Sequence, residues 1–507
     1  MTYHGTIPMT VSPATASASI AQTELDRRVE PDLRVALCAA TCLGLALLWW
    51  VRGGWVFPLD DAYITLHNAR VLIEGHDPNY GVPALVGASS LIHLVLVTAS
   101  HLVLPGEAAS YLVAGVGPVL FLAGLLTLAQ RLGLPWREGA ALALVGMASG
   151  AGQFLNGLET GLVMAAVTWT LVFALDRPSW RLALVCGLLP FLRPELGLLS
   201  LVLIARQAWL RLTAGPDRAK VLRAVAMDAA VALAAASPWL LWSLAATGAL
   251  LPQTMAAKHA FFGRPSGSLP ESVLSAAAMT VGGIGPAAAA LLFLGRDGPG
   301  SALRWFVGLF ILGFALTNWE VLAHNGHRYT FALLPIALFA AMRLGVARGS
   351  RLLRLLILAQ GAVALAFPTD IAAAQERVAQ YRAVAQWVQA NLPQAHLLIH
   401  DAGVIASVTD LPLTDLVGLK SPESNADHRR WTAPSGGAER FRALDAIARR
   451  SGATHAIILD DAPDRFWASL ADDLRQGGWG LDPLDTGRAG GPYILYRLTP
   501  PMSAAAE

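Results

Sequence analysis

Two adjacent aspartates, Asp60 and Asp61, stand in FPLDDAYITLHNARVLIEGH directly after the first long apolar run of the chain. One aspartate there caps the helix that begins at Ala62, a frequent role for the residue. Two neighbouring carboxylates exceed what a cap requires, and their mutual repulsion raises one pKa or attracts a cation. The chemistry open to the pair is general-base catalysis on a hydroxyl, and the one cofactor that the pair suggests is a divalent cation on Asp60 and Asp61. Four other polar groups interrupt apolar sequence, where charge is costly and therefore informative. They are Asn156 and Glu159 in FLNGLET, Arg193 and Glu195 in LPFLRPELG, Lys258 and His259 in LLPQTMAAKHAFFG, and His324, His327 and Arg328 in LAHNGHRY. An arginine at the tip of a helical hairpin is placed to hold a lipid phosphate through paired hydrogen bonds, the alternative being an ion pair between Arg193 and Glu195. Lys258 and Arg328 are candidate cations for the same phosphate. Glu159, His259 and His327 are candidate substrate-binding groups, with a plain solvated loop as the alternative for each. The histidines do not complete a zinc ligand set. Asp401 in HDAG and Asp415 in TDLVGLK read as turn caps.

These groups need elements that gather them on one side of a membrane. Hydrophobic residues make up 55% of the 507, charged residues only 14%, and mean hydropathy is +0.50. Soluble domains carry about 25% charge, so lipid must be part of the solvent. A net charge of +2 implies no polyanion-binding surface and no nucleic-acid partner. The cysteines, Cys38, Cys42 and Cys186, all lie in apolar segments and suggest no disulfide framework. Residues 1–33, rich in Ser, Thr and Ala, read as a disordered cytoplasmic tail. Residues 34–369 read as a polytopic α-helical membrane domain of about ten or eleven transmembrane helices, each span taking about 20 residues. The apolar runs near 35–51, 109–130, 139–153, 161–175, 224–247, 272–294, 305–318, 330–347 and 352–367 are the expected spans.

Positive charge decides two ambiguous stretches. If 82–104 is a juxtamembrane helix and 182–210 a hairpin with Arg193 at its outer tip, the basic loops around Arg131, Arg177, Arg211, Arg296 and Arg348 all fall inside. The N-terminus is then cytoplasmic and every polar motif lies at the outer face of the inner or plasma membrane. From about Asp370 the composition becomes that of a soluble protein. Strands in HLLIHDAG, THAIILDD and GPYILYRL, alternating with helices in VAQYRAVAQWVQANLP and ALDAIARRSG, predict an extracytoplasmic α/β domain over 370–507.

The motifs DDAYITLHNARVLIEGH, NGLET, RPE, PQTMAAK, HRY and HDAGVIASVTDLPLTDLVGLK, in that order, resemble the GT-C glycosyltransferases that use polyprenyl-phosphate sugars. They are most similar to the terminal arabinofuranosyltransferases of actinobacterial cell walls, from the first span to about Lys420. The chain departs from that pattern at Leu66 and His67, where the family has an aromatic residue and an arginine, and at GVPALVGASS, which replaces an acidic, Tyr-containing stretch. The resemblance implies inverting transfer of a sugar, such as the pentofuranose arabinofuranose, from a polyprenyl-phosphate donor to an envelope glycan, glycolipid or protein. Phosphate is a good leaving group, so one carboxylate base and nearby cations suffice. By the family's pattern Asp60 is the base, Asp61 orients it or holds a cation, and Arg193, Lys258 and Arg328 hold the departing phosphate. The competing readings are a membrane transporter or flippase and a non-catalytic envelope-assembly protein. Transporters commonly carry repeated halves with matched broken helices, and this chain has one interrupted hairpin and no repeat.

Overall fold

The computed structural model describes residues 56–501 apart from 215–216, 263–266, 297, 349, 367–370, 461–464 and 487–490, together with 37–41 and 44. The expected tail over 1–33 lies outside these residues, as does all but a fragment of the expected first span. The helical part begins with α1 (Asp60–Glu74), α2 (Leu91–His101), α3 (Glu107–Arg131), α4 (Trp136–Phe154) and α5 (Thr160–Ala174). It continues with α6 (Trp180–Leu192), α7 (Leu196–Ala214), α8 (Arg218–Thr247), α9 (Gln253–Phe262), α10 (Leu269–Ile284), α11 (Gly300–Leu316), α12 (Leu334–Arg348) and α13 (Ser350–Ala366).

The apolar runs predict these helices well, and the breaks have local causes. Arg193 precedes Pro194 and is extended (φ −157°, ψ 135°), the conformation a pre-proline residue prefers, so α6 stops and the chain turns into α7. The hairpin expected over 182–210 is this α6–α7 pair. Helix α2 has 11 residues, about 16 Å of rise, roughly half a bilayer core, in keeping with a juxtamembrane position. By length and composition, five described helices are able to cross a membrane, or six if Gly300–Leu316 and Trp319–His327, bent by 117°, count as one. Helices α2, α5 and α6 are apolar but shorter, so length alone does not reach the expected ten or eleven. Helix α5 is buried on nearly all sides and crosses α3 closely at two glycines: a Cβ on Gly117 would stand 2.5 Å from the Gly161 carbonyl carbon.

The basic loops meet one another at one end of the bundle. Arg131 pairs with Asp176, the Arg211 guanidinium reaches Asp228 and the Pro178 carbonyl, Arg206 donates to the Gly298 carbonyl, and Arg354 pairs with Glu138. The break at Arg193 and the loop before α9 lie at the other end.

Helix α14 (Ile371–Asn391) leads into β1 (Leu397–Ile399), α15 (Val404–Val408), β2 (Leu413–Asp415), α16 (Arg440–Ser451), β3 (His455–Leu459), α17 (Arg465–Gln476), β4 (Gly480–Pro483) and β5 (Tyr493–Thr499). The five-stranded sheet has the order β2-β1-β3-β5-β4, with β1 parallel to β2 and β3, and β5 antiparallel to β3 and β4. The three strands expected from sequence are β1, β3 and β5. Short β2 and the Pro-containing edge strand β4 carry no alternation to read. Side chains alternate across β1 and β3, so Leu397, Ile399 and Ile457 join the hydrophobic core of the helical bundle, while Leu398, Ala456 and Ile458 join a second core beneath α16 and α17. Phe261 of α9 is buried in that second core. The sheet is therefore packed into the helices rather than tethered beside them.

Candidate active site

Successive residues on a helix point about 100° apart, so the first turn of α1 cannot send Asp60 and Asp61 the same way. Asp60 faces the sheet. Its two carboxylate oxygens accept backbone N–H groups from Val404 (2.7 Å) and Gly403 (2.8 Å), at the start of α15. Only glycine fits at 403, because a Cβ there would lie 2.1 Å from the Asp60 carbonyl oxygen. Burial and the neighbouring Asp401 carboxylate push the Asp60 carboxyl above the usual range, against the pull of those two N–H groups.

Asp61 instead lines a cavity of about 640 Å³. Its Oδ2 accepts from Asn325 Nδ2 (2.9 Å) and lies 3.1 Å from the Arg328 guanidinium. Its Oδ1 has no partner among the described residues. Burial opposes ionisation of Asp61, but Arg328 and then Lys258 outweigh it and hold the carboxyl below the usual range. Asp61 is therefore an ionised carboxylate at neutral pH with one oxygen free.

Asn325 and Arg328 reach Asp61 through an unusual backbone. Asn325 (φ 51°) and His327 (φ 63°) are the two non-glycine residues with positive φ among those described, and Gly326 between them has φ 65°. Such a run costs free energy and persists only where its surroundings fix it. Gln153 supplies that restraint: its Nε2 donates to the carbonyls of Gly326 (2.7 Å) and Asn325 (3.3 Å), while its Oε1 accepts from Asn156 Nδ2 (2.8 Å). Asn156 of NGLET thus supports the HNGHR turn.

The cations cluster on Tyr329. Arg193 Cζ lies 4.2 Å, Arg328 Cζ 5.2 Å and Lys258 Nζ 5.8 Å from its ring centroid, and Lys258 Nζ donates to the hydroxyl at 3.2 Å. The arginine expected to meet a phosphate already has carboxylate partners: Arg193 Nε is 2.7 Å from Glu195 and its NH1 3.5 Å from Glu159. Lys258 has no carboxylate partner among the described residues.

Of the residues predicted from sequence, Asp61, Glu159, Arg193, Lys258, His259 and Arg328 all line this one cavity. Asp60 and His327 do not: Asp60 is taken up by the N–H groups of Gly403 and Val404, and His327 stands outside the lining. Asn325, Gln153 and Tyr329 were missed; Asn-Gly inside a polar loop was the available signal for the turn. The acidic pair does not fit a divalent cation, because both Asp60 oxygens face N–H donors and Asp61 faces a guanidinium. Among the described residues no group of three or more His, Cys, Asp or Glu is arranged to hold one. Asp415 is the expected turn cap, accepting from the N–H groups of Val417 (2.8 Å) and Lys420 (2.9 Å). Asp401 instead accepts from the Tyr493 hydroxyl (2.6 Å).

A family described as a domain of unknown function (DUF8728) matches residues 369–496. No curated protein matches the chain. Two crystal structures of ArnT from Cupriavidus metallidurans are similar to it, each spanning 91% of this chain and 97% of its own. The one bound to undecaprenyl phosphate has 14% identity and a TM-score of 0.53; the apo structure has 13% and 0.55. At such identities the likeness speaks for architecture: this chain shares the fold of the ArnT structures, a bundle with several helices able to cross a membrane and a small mixed sheet at its C-terminal end.

Proposed function

We propose that the protein is an inverting glycosyltransferase that takes a sugar from a polyprenyl-phosphate donor. The observation that carries the reading is one cavity in which an ionised carboxylate with a free oxygen stands beside three cations and a tyrosine hydroxyl. The structural neighbour that holds undecaprenyl phosphate supports the choice of lipid. In this mechanism Asp61 Oδ1 takes the acceptor hydroxyl proton as the acceptor oxygen attacks the anomeric carbon. The phosphate leaves from the opposite face toward Lys258, Arg328 and the Tyr329 hydroxyl, which stabilise its growing charge. Arg193, tied to Glu195 and Glu159, holds the Tyr329 ring from beneath and takes a smaller share. The sugar is a pentofuranose such as arabinofuranose, and the acceptor an envelope glycan, glycolipid or protein. Incubating the purified protein with a panel of polyprenyl-phosphate sugars and an envelope extract should release polyprenyl phosphate only with its true donor. Absence of release across the panel would count against the reading.

Lys258 is the first cation to test, because it has no carboxylate to release before it meets a phosphate. Lys258→Met should weaken undecaprenyl phosphate binding by about 10- to 100-fold, the worth of a charge-assisted hydrogen bond, measured as the loss of ligand-induced thermal stabilisation. Arg193→Lys should weaken it less; the reverse order would exchange their roles.

In this reading the cavity opens on the outer face, with residues 370–507 extracytoplasmic, because the basic loops collect at the opposite end of the bundle. A cysteine at exposed position 438, in a variant lacking the native cysteines, should react with a membrane-impermeant maleimide in intact cells. Reaction only after lysis would invert the topology.

A further inference from the structure

Four hydroxyls on the cavity wall have no hydrogen-bond partner among the described residues: Thr254, one turn before Lys258 on α9, and a group of three, Thr65 on α1 with Ser89 and Ser90 at the end of GVPALVGASS. Several helical threonines elsewhere turn back to the carbonyl four residues earlier, as Thr98, Thr127, Thr168, Thr170 and Thr280 do at 2.7–2.8 Å. Thr65 has the Asp61 carbonyl one turn behind it and does not use it.

The position of the group of three follows from α1. Asp61 and Thr65 are four residues apart and share one face, and Asn68 comes one turn later. Arg328 and Asn325 hold Asp61 at one end of that face. At the other end Asn68 Nδ2 donates to the Val86 carbonyl (3.2 Å), which brings Gly87 and the two serines against the helix. An inverting displacement needs the attacking oxygen on the face of the sugar opposite the leaving phosphate. The base then lies between the cations and the acceptor, and the wall beyond Asp61 is formed by Thr65, Ser89 and Ser90.

Among the described residues that wall offers no free cation. Lys420 lies against Gly87, where a Cβ would stand 2.7 Å from its Cδ, but it is fully buried and its ammonium is held by Asn68 Oδ1 (2.7 Å), Asp77 (3.3 Å) and the Val86 carbonyl (3.3 Å). The ionised Asp61 beside the wall repels a second anion.

Resting on the glycosyltransferase reading, we propose that Thr65, Ser89 and Ser90 form the acceptor subsite, which takes an uncharged sugar or polyol through its hydroxyls and disfavours acceptors that present a phosphate. In the transfer, the acceptor O–H proton passes to the Asp61 carboxylate and the acceptor oxygen bonds to the anomeric carbon. The anomeric bond to the phosphate oxygen breaks, and its electron pair stays on the phosphate.

The test compares wild type, Thr65→Val, Ser89→Ala and the double variant, using the donor identified from the panel and two probes, a neutral octyl glycoside and the same glycoside carrying a phosphate monoester. Undecaprenyl phosphate binding is measured in parallel. Because Thr65 and Ser89 have no hydrogen-bond partner among the described residues, their removal should leave folding and lipid binding within twofold. The acceptor KM should rise about three- to tenfold in each single variant and by roughly the product in the double variant, the scale of one neutral hydrogen bond each. The phosphorylated probe should be the poorer acceptor. Unchanged acceptor KM with active enzyme would remove the subsite and leave the glycosyltransferase reading intact, as would preference for the phosphorylated probe. No transfer by the wild type from any donor would remove both.

Discussion

Asp61→Asn is expected to lower sugar transfer by about 100- to 10,000-fold, the usual contribution of a general base, with lipid binding retained and a lower melting temperature because buried Arg328 loses its carboxylate partner. The carboxamide keeps the size of the carboxylate and can still accept the Asn325 hydrogen bond through its oxygen. It cannot take the acceptor proton. Asp60→Asn should behave differently, because both Asp60 oxygens accept N–H groups of Gly403 and Val404. An amide there turns one acceptor into a donor facing an N–H, which costs about 1–3 kcal/mol and loosens α1 from the sheet. Its main signature is therefore a lower melting temperature with a smaller loss of kcat. Single-turnover rates and thermal unfolding of both variants separate the roles. Full transfer by Asp61→Asn, or a kcat loss confined to Asp60→Asn, would return the base to the first aspartate.

Lys420→Met is expected to cost about 3–5 kcal/mol of stability, the penalty for leaving one member of a buried ion pair without its partner. Neither side chain of the Lys420–Asp77 pair is exposed. Burial pushes the Lys420 ammonium down to about 8, with Asp77 and then Asp415 pulling the other way, so the lysine is mostly charged at neutral pH. Asp77 also caps the turn that follows, accepting from the N–H groups of Asn79 (3.0 Å) and Tyr80 (2.9 Å), and its Oδ1 lies 3.4 Å from His67 Nε2. The pair joins the loop after α1 to the TDLVGLK segment of the sheet. Asp77→Asn combined with Lys420→Met removes the stranded charge and should recover part of the loss. Thermal unfolding of the single and double variants in one detergent measures this coupling, and a melting temperature for Lys420→Met within experimental error of wild type would show that the pair contributes nothing.

The bundle, the soluble-like composition after about Asp370 and the motifs that supply the cavity could all be read from the chain, because hydrophobic periodicity, proline breaks and charge placement are local properties. The spacing of Asp60 and Asp61 marked a pair of which one carboxylate, Asp61, lines the cavity. Which aspartate faces the cavity could not be read, since it depends on Gly403 and Val404, which meet Asp60 from 343 and 344 positions away. The pairing of Arg193 with Glu195, two residues on, was among the readings of the sequence, but its second carboxylate, Glu159 at the end of another helix, was not, nor was Asn325, which reaches Asp61 from a left-handed turn that Gln153 holds. The resemblance that included TDLVGLK gave Lys420 no role, and its role appears only where its ammonium meets Asp77 and Val86. Sequence determined which chemical groups exist and on which helix ends they sit. Their pairing, and hence which carboxylate is free to take a proton, was decided by tertiary contacts between segments that the helical period cannot connect.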